Sequence, residues 1–396
     1  MKKFFLFLSI AIFTVTLNAC NTVNTELTLN PYESINFETT GRALTNLHTH
    51  TVYSDGDGLP HEVVDSYHEL GYDILAITDH DKVTYPWAFS EVNDNWKDRD
   101  PEALGMLDII GNELTVTRYE WFPDTVSLFT DYKYQQPESL KQTPEAFHNT
   151  LDELDAIDTS MMFIAHPGRE WKTYGEYPEG EMYSMSWWTT LFETYPKESL
   201  IGIEVFNRND RYPDDRGLWD AILTDTMPER PVWGLGNDDY HGDDSFSGIH
   251  MSYTTQLMDE PYSEEGLKNA LANGHFFTSN TSNVMDDAPL INAINVDKEN
   301  KTITIVGEGY DKIEWFHGAE DLTYNPIVVS EGDTFEYGSF EGNYVRARLI
   351  VGQDGPNEAK TLTQPFGFSP KKRITPKKDA NQRLFLTIIV NVLEFT

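Results

Sequence analysis

The stretch Asn46-Leu47-His48-Thr49-His50-Thr51-Val52-Tyr53-Ser54-Asp55-Gly56 decides how the rest of the chain is read. On an extended segment, His48 and His50 sit two positions apart and so face the same side. Asp55 follows in a Ser-Asp-Gly-Asp-Gly turn that folds back over the strand end. Two imidazoles and a carboxylate converging there suit a borderline divalent cation such as Zn²⁺, Mn²⁺ or Fe²⁺. A His-x-His pair alone reads equally well as two polar strand residues. The weight comes from similar polar endings on later strands.

Working outward, apolar β-rich runs alternate with helix-like spacing, the signal for parallel β-α units. Strands are expected at Ala43–Thr51, Ile74–Asp79, Leu107–Thr115, Met161–Ala165, Leu200–Phe206, Pro231–Gly236 and His275–Ser279. Helices are expected at Pro60–Leu70, Thr143–Ile157, Asp215–Leu223 and Ser263–Asn273, with Ser263 and Gly274 as start and stop signals. The chain has 396 residues, enough for a barrel of roughly 250 residues plus appendages. The expected fold class is α/β, a β/α barrel over residues 42–287. Short alternating strands at Thr302–Val306, Lys312–Phe316, Thr334–Tyr337 and Tyr344–Val351 then predict a small antiparallel β domain over 288–368. Its one histidine, His317, reads as a loop residue. The tail 369–396 is basic, then apolar, and too short in its apolar run to span a bilayer.

Residues 1–19 read as an export signal, with Lys2 and Lys3 before an apolar run and Leu17-Asn18-Ala19-Cys20 at its end. That ending resembles a lipoprotein signal and predicts a lipid anchor on Cys20, hence an outer-membrane or cell-surface lipoprotein, with the periplasm as the alternative. Residues 20–41 then read as a tether. Cys20 is the only cysteine, so neither an internal disulfide nor a thiolate metal site is available. The net charge of −36 disfavours duplex nucleic acid as a partner. A small anionic substrate is still compatible with it, because bound cations reverse the local potential.

The strand ends carry the chemistry. His48, His50 and Asp55 are followed in chain order by Asp79-His80-Asp81, Glu113, His166 with Arg169, Glu204, and Asp238-Asp239-Tyr240-His241. In a β/α barrel all these ends open onto one face. Five of the eleven histidines lie at such ends, which chance scatter explains poorly. No Gly-x-Ser-x-Gly elbow or phosphate-binding Gly-rich loop is present, which disfavours serine hydrolases and nucleotide motors.

The ordered set His48-Thr-His50, Ser54-Asp55-Gly56, Thr78-Asp79-His80, Gly111-Asn-Glu113, His166-Pro-Gly and Asp239-Tyr-His241 resembles the PHP family, named for polymerase and histidinol phosphatase. Tyr344-Val-Arg-Ala and Thr363-Gln-Pro-Phe resemble its exported, carbamate-hydrolase-like branch. The resemblance implies a distorted, TIM-like barrel of seven strands holding two to three divalent ions. It assigns His48, His50 and Asp239 to one ion, Glu113 as a bridge to a second ion that also takes His166, and Asp55, His80 and His241 to a third. Many members place a further histidine between the bridging glutamate and the His-Pro-Gly motif. Here that interval holds only His148, in an expected helix, so Asp124 is the nearest replacement and Glu204 a second.

Such ions bring the pKa of a shared water to about 7 and neutralise phosphoryl oxygens as charge develops. Arg169, Asp239 and His241 are the expected catalytic residues, with Arg169 as a forked phosphate clamp. Arg208 and Arg211 read rather as surface ion pairs. Asp79 and Asp81 are expected to orient His80, and Asp238 to cap a helix. The leading expectation is a metal-dependent phosphoesterase acting on small phosphate esters. Hydrolysis of carboxylic or carbamic esters at the same site, and a non-catalytic binding lipoprotein, are the alternatives.

Overall fold

The structure is a computed structural model that describes residues 24–87, 99–115, 123–133, 144–169, 184–242, 248–281, 288–319, 326–352 and 358–371. The export signal, Cys20 and the tail beyond Lys371 lie outside the described residues. Strands β1 (Asn24–Leu29) and β2 (Gly41–Asn46) precede helix α1 (Pro60–Glu69), β3 (Ile74–Leu75), α2 (Pro101–Leu104), β4 (Leu107–Asp108), β5 (Gly111–Leu114) and β6 (Thr125–Leu128). Next come α3 (Pro144–Asp155), β7 (Met161–Ile164), α4 (Met185–Thr194), β8 (Leu200–Asn207), α5 (Asp214–Thr226), β9 (Trp233–Asn237), β10 (Ser252–Met258), α6 (Glu264–Asn273) and β11 (Phe276–Asn280). The C-terminal strands are β12 (Leu290–Asp297), β13 (Thr302–Glu308), β14 (Lys312–Ala319), β15 (Pro326–Glu331), β16 (Thr334–Glu336), β17 (Tyr344–Ile350), β18 (Lys360–Leu362) and β19 (Phe366–Lys371).

The α/β part is built on two sheets rather than one ring of parallel strands. One sheet runs β5-β6-β7-β8-β9, with β6 antiparallel to both neighbours and β7, β8 and β9 parallel. The other runs β4-β3-β2-β10-β11, with β10 antiparallel to β2 and β11. The expected strand Leu107–Thr115 is therefore split between sheets: β4 pairs with β3, and β5 pairs with β6. Gly111 opens β5 because a Cβ there would lie 2.4 Å from the Ser127 carbonyl oxygen.

Neither β6 nor β10 was expected from the sequence. β6 is four residues long, and the buried faces of β10 include Thr254 and Gln256, so no apolar alternation marks it. Helix α4 was also unexpected; Ser184 Oγ caps it by accepting from Trp187 N at 3.2 Å, and Trp188, Leu191 and Phe192 bury its inner stripe. Ser263 and Gly274 bound α6 as read, with Gly274 at φ 69°.

Two apolar layers sandwich the β5–β9 sheet. On its outer side Phe147, Leu151, Trp188, Phe192, Trp219 and Ile222 from α3, α4 and α5 pack on Met162 and Ile164. On the inner side Phe163 and Ala165 meet Leu47, Ile74, Ala76 and Leu235. Each fully buried Leu, Ile or Phe contributes about 1.5–3 kcal/mol. Where β9 has no backbone ladder to the second sheet, threonines bridge the gap: Thr254 Oγ1 donates to Gly236 O at 3.0 Å and Thr278 Oγ1 to Gly234 O at 2.6 Å.

The C-terminal strands are antiparallel, as expected, but they continue the α/β sheet. β18 pairs with β11, β17 with β18, and β19 with both β17 and β1. A separate sheet, β12-β13-β16, covers a core around Trp315, Val345, Phe366 and Phe368. The supposed tether thus begins as strand β1, with Leu27 against that core, and β19 runs past residue 368 into the expected tail. His317 lies on β14, packed against the rings of Phe340 and Tyr344, and not in a loop.

The two parts are locked together by a buried ion pair. Arg346 Nε donates to Asp220 Oδ1 at 2.8 Å, Tyr344 Oη donates to the same oxygen at 2.9 Å, and the guanidinium lies over Trp219. Both charged side chains are fully buried. Asp220→Ala leaves the arginine unpaired in the interior and is expected to cost about 3–5 kcal/mol in urea unfolding. A loss under about 1 kcal/mol, the value typical of a solvent-exposed pair, would contradict this reading of the junction.

Candidate metal centre

Four chain segments leave the sheets and run side by side at one rim. Asp239 N donates to His48 O at 3.0 Å and His50 N to Tyr240 O at 2.9 Å, so His48–His50 and Asp239–His241 form a short parallel pair. On the other flank Thr78 N donates to Thr49 O, Glu113 N to Thr78 O and Asp81 N to Glu113 O. These bonds bring residues from opposite sheets, and from chain positions nearly two hundred residues apart, onto one pocket wall.

The side chains then crowd together. Glu113 Oε2 lies 3.3 Å from His48 Nε2, 3.2 Å from His50 Nε2 and 3.0 Å from His80 Nδ1. Asp239 Oδ1 lies 3.4 Å from His48 Nε2, 3.1 Å from His50 Nε2 and 3.3 Å from His241 Nδ1. His166 Nε2 is 3.0 Å from Glu113 Oε1, and Asp55 Oδ1 is 3.3 Å from His241 Nε2 and 3.5 Å from His80 Nε2. All eight expected ligands therefore meet.

They form three overlapping groups able to hold an ion: His48, His50 and Asp239; His48, Glu113 and His166; and His50, Asp55, His80 and His241. The residues fit divalent cations on direct evidence. Glu113 Oε2 and Asp239 Oδ1 are buried and accept no hydrogen bond, and such orphaned acceptors are costly unless a cation satisfies them. The His48 and His50 Nε2 atoms face each other at 3.1 Å, an arrangement that suits two lone pairs sharing an ion.

Surrounding groups fix the imidazoles. Glu204, isolated in the fully buried strand β8, accepts from His48 Nδ1 at 2.9 Å and Asn237 Nδ2 at 2.8 Å through one oxygen. Its other oxygen accepts from His166 N at 2.9 Å and Asn207 Nδ2 at 3.0 Å. Its oxygens are thus engaged behind His48, and it stands outside the three groups, contrary to the expectation that it lean in as a ligand.

His80 is oriented by Thr115 Oγ1 at 2.7 Å, not by Asp79 or Asp81. Asp79 instead ties down the turn that carries Asp55, accepting from Thr51 N, Thr51 Oγ1 and Ser54 Oγ at 2.7–2.8 Å. Asp238 caps no helix. It accepts from Asn46 Nδ2, Tyr67 Oη and the amides of His250, Met251 and Ser252, clasping the loop beneath the rim. His166, Arg208 and Asp239 hold positive φ of 24°, 54° and 45°, a strain that gathers at the site.

A cleft of about 210 Å³ opens over the cluster, lined by Asp55, His80, Arg169, Arg208, Arg211 and Tyr212 among others. Arg169 reaches it, with Nη1 3.0 Å from Asp124 Oδ2. Asp124 is buried beside the cluster, but it is not in any of the three ligand groups. Arg208 was expected at the surface; instead its Nε donates to Asp239 Oδ2 at 2.8 Å and its Nη2 lies 3.0 Å from His241 Nδ1. The only sequence signal for it is its place one residue beyond the end of β8. His148 lies on α3 between Phe147 and Trp187, away from the ligand groups.

The fold is mixed α/β with a carboxylate–imidazole centre at its rim. Residues 46–223 match the model of the PHP domain. No curated protein matches the chain. Among solved structures it is similar to a two-domain protein from Bacteroides vulgatus described as containing a predicted PHP-like metal-dependent phosphoesterase. That likeness is at 18% identity over 86% of this chain and 98% of the other, with a TM-score of 0.45. It is also similar to an amidohydrolase from Chromobacterium violaceum solved with sulfate and no metal (17% identity, 52% of this chain, 89% of the other, TM-score 0.32).

Without metal, the cluster is a proton trap. Burial opposes charge on His80, but Glu113 and Asp55 outweigh it and raise its pKa to about 10. Burial likewise opposes charge on His48 and His50, and the surrounding carboxylates raise both. Glu113 and Asp239 are held well below the usual carboxylate range, burial being outweighed by the neighbouring imidazoles and, for Asp239, by Arg208. In the metal-free protein the His80 contribution to stability is therefore complete below its unfolded value of about 6.5 and lost as pH rises through about 10. Because a cation must displace these protons, Mn²⁺ binding near neutral pH is expected to release protons, and its apparent affinity to rise from pH 6.5 to 9. Calorimetry in buffers of different ionisation enthalpy measures both; binding without proton release contradicts the site.

Proposed function

We propose that this protein is a metal-dependent phosphoesterase hydrolysing small phosphate esters at the rim centre. One observation carries the reading: Arg169, Arg208 and Arg211 converge on the cleft above the ligand groups in a chain of net charge −36. Guanidinium forks match phosphoryl oxygens, so three of them lining one cleft above the ligand groups suit a phosphate ester.

The ligand groups would be His48, His50 and Asp239; His48, Glu113 and His166; and His50, Asp55, His80 and His241. Divalent ions bound there, two to three of Zn, Mn or Fe, would supply Lewis-acid polarisation of the ester and an acidified water. The chain's own residues do the rest. Arg208 fixes the orphaned oxygen of Asp239 toward the cluster by holding the other oxygen at 2.8 Å. Arg169 and Arg211 face the cleft from its outer wall and bind the non-bridging oxygens of the substrate. His241, a fifth exposed and beside Asp55, would be a ligand where a third ion is bound; with two ions only, it is placed to hand a proton to the departing alkoxide. Export and a lipid anchor on Cys20 belong to the same proposal and rest on the sequence of residues 1–20 alone.

A second reading, hydrolysis of a carboxylic or carbamic ester, is favoured by the Arg169–Asp124 pair, since a neutralised arginine is a weaker clamp for a dianion. The two readings separate on paired substrates. With Mn²⁺, p-nitrophenyl phosphate is expected to turn over faster than p-nitrophenyl acetate, chelator-sensitively, and His48→Ala or Glu113→Ala to cut the rate by more than about a hundredfold in folded protein. Acetate cleaved much faster than phosphate selects the second reading, and near-normal rates in either variant show that the site is misplaced.

A further inference from the structure

The loop after β8 carries Arg208, Arg211 and Tyr212 into the cleft, and it is bent in an unusual way. Arg208 and Asp210 both hold left-handed φ, 54° and 64°, which non-glycine residues adopt only when surrounding structure enforces it. Three contacts enforce the Arg208 end: its amide donates to Asn237 O at 3.1 Å, and its carbonyl accepts from Ser252 Oγ at 2.6 Å and Asn280 Nδ2 at 3.2 Å. The Asp210 end is gripped differently. Its buried carboxylate takes Arg216 Nη1 and Nη2 from α5, and one oxygen also accepts from Lys360 Nζ at 3.0 Å.

Lys360 does not belong to the α/β part. It lies on β18 in the C-terminal strands, opposite Asn280 of β11 and Ile350 of β17, and none of its surface is exposed. A fully buried ammonium is expensive, and Arg216 alone already neutralises Asp210. The second cation comes from a different part of the molecule than Arg216, which points to a role besides charge balance. Its geometry supplies one, because the same short loop that ends on Lys360 begins on the arginine that orients Asp239.

We propose that Lys360 is a positioning residue of the metal centre, through which the C-terminal β strands hold the Asn207–Tyr212 loop so that Arg208 keeps the Asp239 oxygen aimed at the ligand cluster. The C-terminal part is thus a working component of the site and not an appendage. The inference shares the metal centre with the proposed function but does not depend on which ester is cleaved.

The test is a double-mutant cycle on the full chain: wild type, Lys360→Met, Arg208→Met and the double variant. Each is read by the Mn²⁺ dissociation constant of metal-stripped protein, with the thermal midpoint of the stripped form measured alongside. Lys360→Met keeps the Asp210–Arg216 pair balanced and is expected to fold; should it not accumulate, Lys360→Leu, which also lacks a donor, is read in the same way. The expected result is about tenfold weaker Mn²⁺ binding in Lys360→Met, shrinking to less than about twofold when Arg208 is already Met. Wild-type affinity in Lys360→Met, or an equal loss in both backgrounds, overturns the proposal and leaves Lys360 a purely structural residue. Turnover of p-nitrophenyl phosphate is measured on the same samples. Its absence from wild type refutes the phosphoesterase reading, while the Mn²⁺ cycle still decides the role of Lys360.

Discussion

The structure depends on one short pairing, His48–Thr49–His50 against Asp239–Tyr240–His241, held by two backbone hydrogen bonds between segments from different sheets. It imposes a proximity that water would not favour: four imidazole or carboxylate side chains, mostly buried, share one wall. Thr78, Asp81 and Glu113 extend the pairing on its other flank. Two buried oxygens are left without hydrogen bonds, and ring nitrogens of His48, His50, His80 and His241 lie 3.0–3.4 Å from one or both of them, the close approach that cation ligation requires. The rest of the molecule supports that wall. Glu204 braces His48 and the His166 loop from beneath, Asp79 fastens the Asp55 turn, and Asp238 clasps the 250–252 loop.

Much of this was legible in the sequence, for identifiable reasons. Ligands such as His48, His50, His166 and Asp239 sit just past apolar strand runs, so their position in the chain already implies their position at a rim. Glu204 was visible as a carboxylate in an otherwise apolar strand, but sequence cannot say whether such a group faces an ion or the ring behind it; the four donors around it decide for the latter. Arg208 was misjudged because only the left-handed backbone at that residue turns its side chain inward, and nothing in the local sequence announces it.

The sheet arrangement was less legible. β10 buries Thr254 and Gln256 against β9 and β2, so its pattern is polar where a strand signal is apolar, and β6 is too short to show a period. Leu107–Thr115 read as one strand because the apolar pair Ile109-Ile110 runs straight into Gly111-Asn112, so the glycine at the change of sheet was absorbed into a continuous strand pattern. The C-terminal strands were recognised as antiparallel, but their merger with the α/β sheet through β18 and β11 rests on long-range pairs that no local pattern encodes. That merger places Lys360 beneath the arginine loop and Arg346 against α5.

Charge completes the picture. A chain of net charge −36 repels anions at a distance, yet its cleft is walled by three arginines above a cluster built to take cations. The local potential is then set by whatever ions the cluster binds. The most direct measurement is an anomalous difference map at the manganese edge from crystals of the full chain grown with Mn²⁺. The account predicts a peak bounded by His48 Nε2, His50 Nε2, Glu113 Oε2 and Asp239 Oδ1; a map with no anomalous density at that position contradicts it.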